Sequence, residues 1–409
     1  MRSSFRRRQV PQRRTRHAFH VMAKPHGPIC NLSCQYCYYL SKEHLYPESD
    51  FRMSYDLLDS FTRQYIEAQP VPSVAFGWQG GEPLLCGLEL FERAVDLQER
   101  YRRPGMRITN ALQTNGVLLD DRWCEFFHDH DFLVGLSLDG PRGMHNVYRV
   151  DKQGRPTFDR VMKGLGLLTK HSVEFNILTC VHAGNAGRPL DVYRFLRDEV
   201  EASFMQFIPI VERETQEGIQ GSQRVTNRSV AAEQYGDFLI AVFDEWVTND
   251  VGEVSVQLFD AMLSVCLDQP AGLCVFDPVC GRAMVLEHNG DLYACDHFVE
   301  PRHKLGNILE TPLAELAGSG QQTRFGRAKR EALPDRCREC EVLPFCNGGC
   351  PKNRVLPTEN GPPINHLCDG YRAFFTHAER PMRMLAAAIK LGRPTSIVKQ
   401  ILAEERECD

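Results

Sequence analysis

The stretch CNLSCQYCYYL, residues 30–40, places three cysteines close together at Cys30, Cys34 and Cys37. Three thiols are one short of the four that close a tetrahedral zinc site or fully ligate a 4Fe-4S cluster. The trio therefore suits a 4Fe-4S cluster in which one iron keeps an open position for chemistry. The alternative is a structural zinc site completed by a residue elsewhere, such as His26 or His44.

A second and larger set of cysteines lies towards the C-terminus. The chain holds 16 cysteines among 409 residues, and no unbroken apolar segment follows its N-terminal charges as in a secretory signal. Cysteines in such a chain indicate metal or redox chemistry rather than disulfides. Eight of them lie between residues 274 and 368: Cys274, Cys280, Cys295, Cys337, Cys340, Cys346, Cys350 and Cys368. Eight thiolates make two complete four-cysteine sites, with a pair of zinc ribbons as the competing interpretation.

Composition predicts a globular protein without a membrane span. The chain is 43% hydrophobic and 25% charged, and no run approaches the ~18 apolar residues that indicate a transmembrane helix. We therefore expect a cytoplasmic location and no membrane partner. Seven of the first sixteen residues are arginine, which predicts a disordered basic arm over residues 1–17. Because the net charge is −5, no nucleic-acid partner is expected.

Short apolar runs alternate with amphipathic segments over the first half of the chain. The runs predict strands at 19–23, 73–78, 107–113, 132–138, 174–181 and 204–210. The segments between them repeat apolar residues every three or four positions and predict helices at 55–68, 88–101, 120–130, 158–171 and 189–200. This alternation predicts an α/β fold with a parallel sheet or barrel, whose ligands bind at the carboxyl ends of the strands. The triple-cysteine stretch and QGGEP, residues 79–83, each follow a predicted strand.

The pattern changes after about residue 215. Two helix-like segments, 230–250 and 256–269, precede AMVLEHNGDLYACD at 283–296, which predicts a β-hairpin around its Asn-Gly pair. The cysteine-rich loops that follow have few large apolar residues and are predicted to need metal to fold. The predicted organisation is the arm at 1–17, a barrel at 18–230, a helical linker at 231–273, a cysteine-rich domain at 274–380 and a helical tail at 381–409.

The first motif resembles the signature of the radical S-adenosylmethionine family, in which an aromatic residue precedes the third cysteine. Cys30, Cys34 and Cys37 fit the cysteines, and Tyr36 is that aromatic residue. The resemblance implies a partial (β/α)6 barrel of TIM type and an iron that is chelated by S-adenosylmethionine. Reductive cleavage of this cofactor gives a 5′-deoxyadenosyl radical that takes hydrogen from the substrate.

GGEP, residues 80–83, resembles the second motif of that family, which holds the methionine amino group. Tyr36 is then expected against the adenine, and three more residues fall at positions that contact the cofactor or shape the site. Each of these three is equally compatible with a structural role, Arg149 by pairing with an acid. The implied cofactor-binding residues are Tyr36, Gln79, Gly80, Gly81, Glu82, Ser137 and Arg149.

The eight later cysteines resemble those of a SPASM domain, which carries two auxiliary 4Fe-4S clusters in radical enzymes that act on peptides and proteins. The resemblance implies three 4Fe-4S clusters in all. On that pattern the first auxiliary cluster takes Cys274, Cys280, Cys295 and Cys350, and the second takes Cys337, Cys340, Cys346 and Cys368. This crossed arrangement is expected to join the hairpin to the C-terminal loops.

From about residue 20 to residue 380 the chain resembles anaerobic sulfatase-maturating enzymes. The shared stretches are MAKP, QGGEP, LQTNG, FLVGLSLDGP, VEFNIL and CDHFV. The resemblance implies oxidation of one Cys or Ser, within a C/S-x-P/A-x-R motif of an unfolded sulfatase, to formylglycine. Hydrogen abstraction at Cβ is followed by electron loss to the auxiliary clusters. A monomer and a flavodoxin- or ferredoxin-type reductant are also implied.

The same family keeps an aspartate directly after the third cysteine of its first auxiliary set, and here Asp296 follows Cys295. Oxidation of the substrate radical releases a proton, so a nearby carboxylate can act as the base. We expect burial to raise the pKa of Asp296 towards a useful value. The alternative is a carboxylate that only caps a turn. His297 is a weaker candidate base, and Tyr39 is expected near the substrate.

Two other functions are compatible with parts of the sequence. One is a SPASM-type maturase that forms thioether or carbon-carbon crosslinks in another ribosomal peptide. Such enzymes often carry an additional N-terminal recognition domain, whereas 29 residues precede Cys30 here. The other is a non-catalytic electron carrier with three clusters, for which QGGEP and a barrel-sized domain would have no purpose.

Overall fold

The computed structural model describes residue 15 and residues 17–214, 224–359 and 361–401. Apart from residues 15 and 17, the predicted basic arm lies outside these residues, as does the end of the predicted tail. Across the described ranges, no helix is both long enough and apolar enough to cross a membrane.

All six strands predicted from the apolar runs are confirmed. They are β1 (His20–Lys24), β2 (Ser73–Trp78), β3 (Arg107–Thr114), β4 (Phe132–Ser137), β5 (Phe175–Val181) and β6 (Phe204–Pro209). Each strand pairs in parallel with the next one along the chain. A two-residue strand, β7 (Ser255–Val256), continues this order beside β6. The carboxyl ends of β1 to β6 therefore meet at one edge, where loops carry candidate functional residues.

The predicted helices are also present between the strands. The helices of the first half are α1 (Tyr55–Ala68), α2 (Leu88–Tyr101), α3 (Asp121–Asp129), α4 (Arg142–His145), α5 (Phe158–Lys170) and α6 (Pro189–Arg194). The segment predicted as one helix over 189–200 changes after α6 into a π-helical turn, Phe195–Glu199. The remaining helices are α7 (Ala232–Asn249), α8 (Gln257–Cys266), α9 (Leu313–Ala317), α10 (Gly320–Glu331), α11 (Asp335–Arg338), α12 (Leu343–Cys346) and α13 (Cys368–Lys390).

The predicted hairpin is part of the barrel sheet rather than a separate layer. It consists of β8 (Ala283–Glu287) and β9 (Asp291–Tyr293), followed by β10 (Lys304–Asn307). β8 pairs in parallel with β1 over five residues, from His20 opposite Ala283 to Lys24 opposite Glu287. The sheet therefore has ten strands in the order β10-β9-β8-β1-β2-β3-β4-β5-β6-β7. The cysteine-rich region is thereby fixed to the strand that precedes the triple-cysteine loop.

The last helix joins the cysteine-rich region to the rest of the chain. α13 packs against α7, and a Cβ on Gly370 would lie 2.0 Å from the carbonyl oxygen of Ala232. Only glycine permits this close approach of the two helices. α13 begins at Cys368 and runs through residues 380 and 381 without a break. The remaining strands, β11 (Arg354–Leu356) and β12 (Ile364–Asn365), form a small antiparallel pair.

Aromatic side chains dominate the core behind β2. Phe61 of α1 and Phe91 of α2 pack edge-to-face against Trp78, the last residue of β2. All three are buried, and the indole N–H of Trp78 donates to Asn110 at 2.9 Å. Buried aromatic pairs with a satisfied polar group hold a strand end rigidly. This packing fixes the point from which QGGEP leaves the sheet.

Candidate active site

The QGGEP loop packs directly on the loop that carries Cys30. The backbone N–H of Gly81 donates to the carbonyl of Gly27 at 2.7 Å, and that of Glu82 donates to Ile29 at 2.9 Å. A Cβ on Gly81 would lie 2.0 Å from the Ile29 oxygen, so this close contact requires glycine. The two sequence motifs therefore form one structural unit.

The three thiols of the first motif share one site. Burial, with smaller contributions from Glu82 and Cys37, raises the pKa of Cys30 to about 11. Burial likewise raises the pKa of Cys34 to about 12, with contributions from Cys37 and Cys30. The sulfur of Cys30 accepts from the backbone N–H of Leu32 at 3.4 Å and from the Asn115 side chain at 3.7 Å. Thiolates crowded in this way require a bound cation, so the donor set fits an iron-sulfur cluster.

Glu82 is fully buried and uses both carboxylate oxygens within the protein. Oε1 accepts from the Thr114 hydroxyl at 2.8 Å and from the Leu84 N–H at 3.1 Å, while Oε2 accepts from the Asn115 N–H at 2.9 Å. Burial raises the pKa of this carboxyl to about 7 despite these bonds. Glu82 ties the QGGEP loop to the end of β3, and its contact with the cofactor stays a prediction.

A buried carboxylate that the sequence analysis missed lies two residues after β4. Asp139 accepts from the Tyr36 hydroxyl, from the Cys180 N–H at 2.9 Å, and from Arg149 Nε and Nη2 at 2.9 and 3.0 Å. Burial alone would raise the pKa of Asp139, but Arg149 and His182 hold it well below its usual range. The structural role proposed for Arg149, pairing with an acid, is thus present. The signal was the Asp-Gly after a strand in FLVGLSLDGP.

Two further predicted residues lie at strand ends. Ser137 is the buried last residue of β4, and Gln79 follows β2 directly. The Gln79 side chain accepts from Lys24 Nζ at 2.6 Å and donates to Gln113. Gly80 has a φ of 155°. The contacts of these residues with S-adenosylmethionine remain predictions.

Asp296 is held by two partners and is partly open. Its Oδ1 lies 2.7 Å from Lys24 Nζ, and its Oδ2 accepts from the Tyr38 hydroxyl, while 20% of the side chain stays accessible. Burial would raise the pKa of Asp296, but Lys24, His297 and Tyr38 together lower it. The expectation of a raised pKa was therefore wrong, because Lys24 places a positive charge against the carboxylate. Asp296 is an ionised carboxylate.

Lys24, the partner of Asp296, is a buried residue that the sequence analysis passed over. It ends β1, only 1% of it is exposed, and its ammonium lies 4.2 Å from the centre of the Tyr39 ring. The Tyr39 hydroxyl in turn donates to Glu287 of β8. His297 lies with Nδ1 3.7 Å from the sulfur of Cys350. The available signal was a lysine directly after the predicted strand at 19–23, within MAKP.

The eight later cysteines fall in space into two sets of four. In the first set, burial raises the pKa of Cys280 to about 11, with Cys274 and Cys350 contributing. Burial also raises the pKa of Cys295 well above its usual value, again with Cys350 and Cys274 contributing. These four thiols therefore surround one site.

The second set lines a cavity of about 420 Å³ that contains all four of its thiols, those of Cys337, Cys340, Cys346 and Cys368. Burial raises the pKa of Cys346 to about 12, with the other three contributing. Among the residues that the structure describes, no three His, Cys, Asp or Glu side chains are placed to hold a single metal ion. Thiols that surround a volume suit a cluster, in which each iron takes one thiolate. In space the eight cysteines group as in the crossed arrangement that the resemblance implies. Ligation of clusters by these cysteines stays a prediction.

Two family models match the chain. Residues 24–196 match the radical SAM superfamily, and residues 274–341 match an iron-sulfur cluster-binding domain. The fold and these matches define a radical SAM enzyme with an attached iron-sulfur domain. These matches decide against two alternatives from the sequence, a pair of zinc ribbons and a non-catalytic electron carrier.

Over 396 residues the chain is 46% identical to the serine-type anaerobic sulfatase-maturating enzyme of Bacteroides thetaiotaomicron. The aligned region covers 93% of this chain and 95% of that protein. It is 33% identical over 362 residues to the cysteine-type enzyme of Clostridium perfringens, covering 88% and 95%. The solved structure of native anSMEcpe with bound AdoMet and Kp18Cys peptide aligns with a TM-score of 0.81 at 31% identity, covering 90% of this chain and 99% of that one. The chain belongs to the anaerobic sulfatase-maturating enzymes.

Proposed function

We propose that the protein oxidises one serine or cysteine of an unfolded sulfatase, within a C/S-x-P/A-x-R motif, to formylglycine. The observation that carries this proposal is the placement of Asp296. Its hydrogen-bond partner Tyr38 interacts electrostatically with both Cys37 and Cys295, so the carboxylate lies between the first thiol site and the first auxiliary set. This position supports Asp296 as the proton acceptor for a substrate radical formed at the first site and oxidised at the second.

The cofactors fit the residues present. We assign one 4Fe-4S cluster and S-adenosylmethionine to the site of Cys30, Cys34 and Cys37, and two auxiliary 4Fe-4S clusters to the two later cysteine sets. When bound, these groups supply the 5′-deoxyadenosyl radical that removes a Cβ hydrogen and the acceptor for one electron. The proposed S-adenosylmethionine-binding residues are Tyr36, Gln79, Gly80, Gly81, Glu82, Ser137 and Arg149.

Asp296 completes the oxidation by taking a proton. The substrate side chain loses a hydrogen atom from Cβ, one electron, and the proton of its hydroxyl or thiol. Asp296 accepts that proton, since its lowered pKa favours the ionised form and 20% of its side chain is accessible. Lys24 and Tyr38 orient the carboxylate. A serine gives the aldehyde directly, whereas a cysteine gives a thioaldehyde that water hydrolyses.

The relatives guide the choice of substrate. The serine-type relative is 46% identical and the cysteine-type relative 33% identical, which supports serine as the preferred target. The peptide-bound relative supports an extended polypeptide as the substrate. A flavodoxin- or ferredoxin-type reductant, a monomeric state and a cytoplasmic location stay predictions.

The test is an anaerobic assay with reconstituted protein, S-adenosylmethionine and dithionite. Two peptides carry Ser or Cys in the x-Pro/Ala-x-Arg context, and a third carries Ala at that position as the control. We expect 5′-deoxyadenosine together with an aldehyde, detected by peptide mass, from the Ser peptide and more slowly from the Cys peptide. Cofactor cleavage with neither peptide converted to an aldehyde would contradict the sulfatase assignment and favour another peptide substrate.

A further inference from the structure

A lysine lies buried beside the first auxiliary set of cysteines. Lys329 of α10 is only 1% exposed. Its Nζ donates to the backbone carbonyls of Cys274 at 2.7 Å, of Val275 at 2.8 Å, and of Asp277. Three acceptors use all three N–H groups of an ammonium, whereas a neutral amine has only two. The geometry therefore requires Lys329 to be charged.

No carboxylate in the described part of the chain lies within ion-pair distance of this ammonium. The groups of opposite effect around it are thiols: burial and the nearby Arg354 lower the pKa of Lys329, while Cys280, Cys274 and Cys350 raise it. A buried charge is costly unless an opposite charge lies nearby. The negative charge that balances Lys329 must therefore come from these cysteines and from what they hold.

Arg354 of β11 is a second buried cation, and it lies between the two cysteine sets. It is 8% exposed and donates to the carbonyls of Gly348 at 3.2 Å, Ala332 at 3.4 Å and Asn347 at 3.4 Å. Burial lowers the pKa of its guanidinium, while four thiols raise it. Two of them belong to each set, and they are Cys337, Cys350, Cys280 and Cys346. Two of the carbonyls that it binds, those of Asn347 and Gly348, lie in the chain between Cys346 of the second set and Cys350 of the first, and Gly348 also lines the second cavity. Its charge therefore acts on both sites.

A cluster gains one negative charge when it is reduced, and net charge is one of the factors that set its potential. A fixed cation in a buried site favours the reduced form. We propose that Lys329 raises the reduction potential of the first auxiliary cluster alone, and that Arg354 raises the potentials of both auxiliary clusters. The inference rests on the proposed function, since it takes the two cysteine sets to hold 4Fe-4S clusters. Both residues act through the clusters and neither touches the substrate.

The distribution of buried cations between the two cysteine sets suits the direction of electron transfer. The first set includes Cys295, directly before Asp296, and it has two buried cations beside it. Of these two cations the second set has only Arg354. Arg336 and Arg372 also line its cavity, but both are exposed and are paired with Asp369 and Glu341. A higher potential at the first set makes it the better acceptor for the electron that leaves the substrate as Asp296 takes the proton.

The test measures potentials rather than turnover. In full-length protein with Cys30, Cys34 and Cys37 replaced by Ala, only the auxiliary clusters are reconstituted, and a redox titration followed by EPR resolves them. Lys329→Met is expected to lower one potential by at least 59 mV, which for one electron is a tenfold change in the reduction equilibrium. Arg354→Met is expected to lower both. Arg327→Met, which removes an exposed charge from the same helix, is expected to move neither.

Charge-retaining variants separate electrostatics from packing. Lys329→Arg and Arg354→Lys are expected to keep the wild-type potentials, while Lys329→Gln, which retains a donor without charge, is expected to shift like Lys329→Met. Two auxiliary signals whose potentials do not respond to any of these changes would overturn the inference and leave the proposed function standing. Absence of any auxiliary redox signal in the unsubstituted background would overturn the cluster assignment, and the inference with it.

Discussion

Two aspartates of the site are held in different ways. Asp139 is fully buried and accepts four hydrogen bonds, from Tyr36, from Cys180 and twice from Arg149. Asp296 has two partners, and a fifth of its side chain is accessible. An ionised carboxylate offers about four acceptor positions. Those of Asp139 are therefore all in use, whereas Asp296 keeps two for other groups.

This difference is the one expected between a structural carboxylate, Asp139, and the proposed proton acceptor, Asp296. Both are kept ionised by an adjacent cation, Arg149 in one case and Lys24 in the other. Only Asp296 can bind a further proton donor without losing a partner. The region around Asp139 fixes the loop of the first thiol site, and the region around Asp296 is open to chemistry.

The largest expected difference in reaction products is between a variant of a cysteine near Asp139 and a variant of the cysteine next to Asp296. Cys34 interacts with Arg149 and Asp139, whereas Cys295 directly precedes Asp296. Cys34→Ala is expected to abolish 5′-deoxyadenosine formation, because the first cluster cannot assemble. Cys295→Ala is expected to keep that activity and lose the aldehyde. Both products are measured in one reaction by chromatography and peptide mass, and loss of both products in both variants would remove the contrast.

Of the two aspartates, Asp139 is the one whose substitution is expected to lower the free energy of unfolding strongly. Asp139→Asn leaves Arg149 buried without its counter-charge, and breaking a buried ion pair costs about 3–5 kcal/mol of unfolding free energy. Asp296→Asn removes one partly open pair and is expected to cost about 1–3 kcal/mol. Anaerobic urea unfolding followed by circular dichroism compares the two. Equal losses would show that both carboxylates are structural.

A smaller effect is expected for Lys24, the partner of Asp296. Lys24→Met removes a charged hydrogen bond of about 1.5–3 kcal/mol, so aldehyde formation is expected to fall about tenfold to a hundredfold. Lys24→Arg keeps the charge and is expected to recover part of the rate. 5′-Deoxyadenosine formation is the internal control, and its equal loss in Lys24→Met would assign Lys24 to the first thiol site instead.

Much of the fold was predictable because local patterns determine it. The six strands follow from short apolar runs, and α1 and α2 match their predicted limits at both ends. The parallel pairing of β8 with β1 was not predicted, because it joins segments that are far apart in the chain. Hydrophobic periodicity identifies an element and does not specify which distant strand it pairs with.

The site was predictable where a residue type alone implies chemistry. The eleven cysteines could be named from their spacings, and Asp296 from the resemblance to a family that keeps an aspartate at this position. Lys24, Asp139 and Lys329 were not named, because their importance depends on burial and on partners elsewhere in the chain. The direction in which the pKa of Asp296 is shifted was missed for the same reason, because Lys24 is distant in sequence and adjacent in space.

The most direct test of Asp296 as the proton acceptor is the ratio of aldehyde to 5′-deoxyadenosine formed by Asp296→Asn with the Ser peptide. General-base catalysis contributes about 10²–10⁴-fold, so aldehyde formation is expected to fall by that order while 5′-deoxyadenosine continues to form. The ratio should therefore collapse in Asp296→Asn. A ratio equal to that of the unsubstituted protein would contradict the account, because proton removal would then not depend on this carboxylate.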